Sequence, residues 1–323
     1  MKNLWKYIKV LITLLIVVFF IYYFFQNQED FLFVLSTPIK YLIMIAIPFG
    51  ILVLLDGIFI KVILKSFDET ISVLESFYVS NISYLGNYFL PMRGGAVIRS
   101  VYLKKNFNFP YTYFVSTLYG FYIIVFLVNA LVGLLALLVI QFKYDVVSIP
   151  LYIFFGLLFF FMLLLTVFKF PTDKIKEGKY KVVNKILNII KDIFNGWNII
   201  ISNKKLLYSL IFITIAKFLI SAFLFFVEFT ALGIGKNFIN ILLYNCLSGV
   251  SLLVSLTPGS LGIREGIFVI TSDILGISNE QVMQLALLDR GVVVITLVVL
   301  FIILYVLQRV FTKNVELKKT VSK

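Results

Sequence analysis

Arg264 and Glu265 sit side by side in "SLTPGSLGIREG", residues 255–266, between two of the most apolar stretches of the chain. On a helix, adjacent residues point about 100° apart, so the two side chains need partners other than each other. A charge held in hydrocarbon costs at least about 2.5 to 3.5 kcal/mol, and the candidate partners are Asp289, Arg290, Glu228 and Asp273. Two readings are open for Arg264: an ion-pair clamp tying this segment to the last helix, or contact with an anionic substrate.

A second cluster has similar chemistry. In "LPMRGGAVIR", residues 90–99, Arg93 and Arg99 flank glycines. A glycine-rich break opening a helix leaves backbone N–H groups that favour an anion, and arginine adds a planar fork suited to phosphate. Lys217 stands about 16 Å into its apolar run at 1.5 Å per residue, near the centre of a hydrocarbon layer, and calls for a cavity, an acid or a lipid phosphate. Glu228 follows three turns on and reads as approaching the outer interface. Asp289 and Arg290 lie within short reach of water, and Asp56 and Lys61 read as interfacial.

Other chemistry is closed by composition. The chain has no histidine and one cysteine, Cys246, which removes the usual general base, the commonest metal ligand and any internal disulfide. No GxxxxGK[ST] phosphate loop occurs. No catalytic residue, cofactor or metal is expected, and the net charge of +13 reads as membrane topology rather than nucleic-acid binding.

The elements that hold these residues are membrane helices. The chain is 61% hydrophobic and 14% charged over 323 residues, with a mean hydropathy of +1.03, which fits an all-α polytopic membrane protein forming a single domain over 1–323. Six segments are long enough to span: 8–25, 39–60, 111–140, 150–169, 206–231 and 283–308. The first lacks a small-residue cleavage site and is kept as a permanent helix. Residues 71–105 and 239–276 are broken by Pro91, Gly94 and Gly95 and by Pro258, Gly259 and Gly262, so each reads as a re-entrant hairpin.

Basic residues support this layout. Only Lys40, Lys143 and Lys236 fall in outer segments, and Lys217, Arg264 and Arg290 lie within the membrane, so both termini are cytoplasmic in a multi-pass cell-membrane protein. The two hairpins then open to opposite faces as an inverted repeat, with their tips expected to meet around a polar site near the midplane. Residues 172–204 space Val183, Ile186, Ile190, Ile193 and Trp197 on one helical face against lysines, the pattern of a cytoplasmic amphipathic helix on anionic lipid.

"NYFLPMRGGAVIRSVYLKK" and "SLTPGSLGIREG", with the arginine of the last helix, resemble the two signatures of the transmembrane region of the lysylphosphatidylglycerol synthases, whose stand-alone members are flippase-like membrane proteins. The resemblance covers nearly the whole chain. It implies handling of anionic, aminoacylated or glycosylated lipids, and points to Asn87, Pro91, Gly95, Arg99, Pro258, Gly262, Arg264, Glu265 and Arg290. Ala96 stands where many members carry an acidic residue. The substrate-binding set read from the sequence is Asn87, Arg93, Arg99, Lys217, Arg264, Glu265 and Arg290. The expected partner is a membrane phospholipid or glycolipid. The alternatives are a phosphatidylglycerol lysyltransferase, for which the short tail leaves no soluble transferase domain, and a scaffold for a separate lipid or glycosyl transferase.

Overall fold

The computed structural model describes residues 32, 34–167, 181–235 and 237–321, and side chains beyond 310 are outside the description. From Ile39 onward the described residues form eleven α-helices: α1 Ile39–Lys65, α2 Val73–Phe89, α3 Gly94–Phe107, α4 Tyr111–Tyr144, α5 Ile149–Val167, α6 Lys181–Ser202, α7 Lys204–Ala231, α8 Phe238–Ser251, α9 Ile263–Ile270, α10 Ser272–Leu275 and α11 Asn279–Val321. Five of them, α1, α4, α5, α7 and α11, are long and apolar enough to cross a membrane. They coincide with five of the six expected spans. The sixth, 8–25, lies outside the described residues.

The distribution of polarity is that of a membrane protein. α5 turns Ile149, Ile153, Leu157, Phe160 and Phe161 outward, while Ser76, Ser80, Asn81 and Ser83 of α2 are buried. Between α1 and α11, α2 satisfies these groups on main-chain carbonyls: Ser80 Oγ donates to Val53 O at 2.7 Å and Asn81 Nδ2 to Leu297 O at 3.2 Å. A polar helix is therefore enclosed by apolar ones, and its hydroxyls and amide meet acceptors instead of hydrocarbon.

Both broken segments are helical hairpins. α3 folds back along α2, with Gly86 against Gly95 at the turn and Tyr102 Oη donating to Glu75 Oε1 at 2.8 Å at the open end. A Cβ on Gly95 would lie 1.7 Å from Ser83 O, so only glycine permits this approach. The second hairpin runs through α8, two short 3₁₀ turns at Leu252–Val254 and Pro258–Ser260, then α9 and α10. Asn240 Nδ2 donates to Leu275 O at 3.2 Å, which closes its open end. Its returning arm is split at Thr271 into α9 and α10.

The region expected at 172–204 contains α6 over its described part. Trp197 and Ile200 are buried against Gly120 of α4, and Trp197 Nε1 donates to Leu165 O at 2.8 Å. The C-terminal half of this amphipathic helix thus docks its apolar face on protein, a placement that spacing alone does not distinguish from a lipid surface.

Candidate functional site

The two hairpin tips meet. Met92 and Arg93 occupy left-handed backbone at φ 52° and 55°, a conformation that side chains other than glycine disfavour. The second tip holds them there: Met92 N–H donates to Leu256 O at 3.2 Å and Arg93 Nη2 to Leu252 O at 2.9 Å. Two strained residues are thus fixed by contacts from a segment about 160 positions away in the chain, the arrangement expected where strain serves a site.

Behind this junction lies a cavity of about 220 Å³. Asn87, Arg93 and Arg99 enter from the first hairpin, Lys217 from α7, and Gly259 and Arg264 from the second hairpin. Five of the seven residues expected to bind substrate therefore line one space. Glu265 and Arg290 stand behind it as builders of the second tip. Arg290 Nη2 donates to Glu265 Oε1 at 2.6 Å and Nη1 to Gly259 O at 3.1 Å, while Glu265 Oε2 accepts from Gly262 N–H at 2.8 Å.

Sequence reading missed several lining groups. Asp56 was expected at the interface, yet it is 8% exposed, accepts from Lys217 Nζ at 2.6 Å and from Tyr84 Oη at 2.5 Å, and faces the cavity. α1 runs to Lys65, and Asp56 on it is enclosed by Lys217 of α7 and Tyr84 of α2. Tyr84, Tyr88, Tyr122, Ser248, Ser251, Ser255, Thr257 and Ser260 complete the polar wall. The serines gave a faint signal, as hydroxyls clustered on either side of the second break.

The cations divide into two classes. Lys217 is paired with Asp56, Arg264 Nη2 with Asp289 Oδ2 at 2.5 Å, and Arg290 with Glu265. Arg264 Nε also lies 3.7 Å from Glu265 Oε1, so adjacent residues approach after all. Among the described residues, Arg93 and Arg99 form no ion pair. Arg93 stacks over Tyr122 at 4.4 Å, Arg99 lies 6.0 Å from the Phe114 ring, and the Arg99 Nε is buried without an acceptor. Arg93 and Arg99 thus bring two forked cations without a carboxylate partner to the cavity wall.

The backbone contributes less than the glycines suggested. Gly95 N–H is taken by Asn87 Oδ1 at 3.1 Å and Ala96 N–H by Arg93 O at 2.8 Å. At the second tip Gly262 N–H is taken by Glu265, and Ser260 and Leu261 N–H by the 3₁₀ turn. Asn87 and Glu265 therefore act as caps of their hairpins. The described residues hold no group of three acidic or thiol ligands for a metal.

A family model described as the lysylphosphatidylglycerol synthase TM region matches residues 7–301. No curated protein and no solved structure matches the chain.

Proposed function

Because the chain belongs to the family of the lysylphosphatidylglycerol synthase transmembrane region, we propose that it is a lipid translocator whose cavity takes the phosphate-bearing headgroup of an anionic membrane lipid, phospholipid or glycolipid. The observation that carries this reading is the pair Arg93 and Arg99, two arginines without carboxylate partners facing a polar space enclosed by apolar helices. A phosphodiester supplies the negative charge that both guanidinium groups lack and an acceptor for the unpartnered Arg99 Nε.

In this reading the two helical hairpins are re-entrant and open toward opposite faces of the cell membrane, with both termini cytoplasmic. A headgroup enters beside the first tip, is held by Arg93 and Arg99, and passes to Arg264 at the second, while the acyl chains stay in lipid. The headgroup is never without a cation, which removes the main electrostatic cost of crossing hydrocarbon. The lining hydroxyls replace part of its water shell.

Purified protein in liposomes carrying a panel of headgroup-labelled lipids tests this reading. Transbilayer movement of the anionic members, faster than in protein-free vesicles, is the expected result. Formation of lysylated phosphatidylglycerol on adding Lys-tRNA, without lipid movement, would instead identify a lysyltransferase. Movement of no lipid, together with capture of a transferase, would identify a scaffold.

A further inference from the structure

Glu228 stands on α7 with none of its surface exposed, and no N–H or O–H donor of the described protein meets either carboxyl oxygen. The groups facing it come from four elements: the Asp289 carboxyl of α11 within hydrogen-bonding reach, the Arg264 guanidinium of α9, and the phenols of Tyr88 on α2 and Tyr244 on α8. The acid of α1, Asp56, is held elsewhere by Lys217 and Tyr84. Arg290 of α11 turns to Glu265 of α9.

Two carboxyl groups this close do not both stay ionised unless a cation or a proton lies between them. Arg264 supplies one positive charge and places it on Asp289, leaving Glu228 without a direct partner. Arg264 also lines the headgroup cavity. One guanidinium therefore faces the carboxyl pair on one side and the anion site on the other.

We propose that the Glu228–Asp289 carboxyl pair is a proton-binding site that couples headgroup binding to proton uptake, an inference that rests on the cavity taking an anionic headgroup. When a phosphate draws Arg264 toward the cavity, the N–H···O contact to Asp289 opens. A proton taken up from water then binds between the Glu228 and Asp289 carboxyl oxygens, and no bond to carbon changes. When the phosphate departs, Arg264 returns to Asp289 and the proton is free to leave. Linkage makes the coupling reciprocal: a bound proton favours the anion, and a bound anion favours the proton. A headgroup gradient or a proton gradient would each drive the other, in a chain without a nucleotide-binding motif.

The test uses the full chain in nanodiscs and short-chain phosphatidylglycerol, whose phosphodiester does not titrate from about pH 5.5 to about pH 9. Wild-type affinity should fall with rising pH, by at most about tenfold per pH unit for one linked proton. Binding heats measured in two buffers of different ionisation heat should report uptake of up to about one proton per lipid, a measurement that needs no variant. Glu228→Gln, a neutral isostere of the protonated acid, should bind with a flat pH profile. Binding without proton uptake in the wild type, or an unchanged pH slope in a folded Glu228→Gln, would overturn the proton site while leaving the cavity reading intact. Absence of phosphatidylglycerol binding at every pH would overturn both.

Discussion

Arg99 and Arg264 are both arginines in broken membrane segments, yet their surroundings assign them different consequences. Arg264 is held by Asp289, and removing it leaves a buried carboxylate beside Glu228. Arg264→Ala should therefore destabilise the protein by about 3 to 5 kcal/mol, and the double variant Arg264→Ala/Asp289→Asn should recover much of that loss. Thermal unfolding in detergent measures both. Equal stability of the single and double variants would show that the pair is not coupled. Arg99 has no acidic partner among the described residues, so Arg99→Ala should leave the fold intact and act on function alone. Much of this was legible: the sequence brought Lys217 and Arg264 forward as costly charges in apolar runs, and Arg93 and Arg99 as planar forks beside a glycine-rich break. Their partners were not, because pairing depends on depth and rotation. Asp56 looked interfacial because its partners, Lys217 and Tyr84, come from helices far from it in the chain.

At the scale of elements, the hairpins depend on close helix approach more than on free backbone donors. Gly95→Ala places a Cβ 1.7 Å from the Ser83 carbonyl, and Gly86→Ala places one 2.7 Å from Gly95 Cα, so either change must part α2 from α3. Both should lower yield and stability and abolish lipid movement. Gly156→Ala in α5 meets nothing within 4 Å and should be neutral or slightly stabilising, a control for helix propensity. Cysteines at Met92 and Leu256, whose backbones share a hydrogen bond, should crosslink with short reagents and stop lipid movement once joined. Failure to crosslink in inserted protein would mean the tips separate. Proline and glycine marked where the chain turns, but not how the turns are capped. The expected free N–H groups are taken by Asn87 and Glu265, because polar side chains one helical turn or one hairpin arm away compete for the same donors.

For the whole molecule, the described residues put apolar side chains outside and the charges at a buried junction of two hairpins. Hydropathy foretold five of these spans because length and composition suffice to identify a long apolar helix. It did not separate the two fates of an amphipathic face, and α6 docks Trp197 on α4 where a lipid surface was expected. In the proposed topology a tag near Lys143 should report the outer side and one near Lys65 the inner side. Tags on the same side would remove the inverted hairpins. The central claim is that arginines without carboxylate partners hold a lipid phosphate as it crosses. Its most direct measurement is the rate of transbilayer movement of headgroup-labelled phosphatidylglycerol in liposomes with wild-type protein and with Arg99→Ala. A charge-assisted contact of about 1.5 to 3 kcal/mol predicts a loss of about tenfold to a hundredfold in rate, at unchanged insertion and melting temperature. Equal rates for the two proteins would contradict the claim.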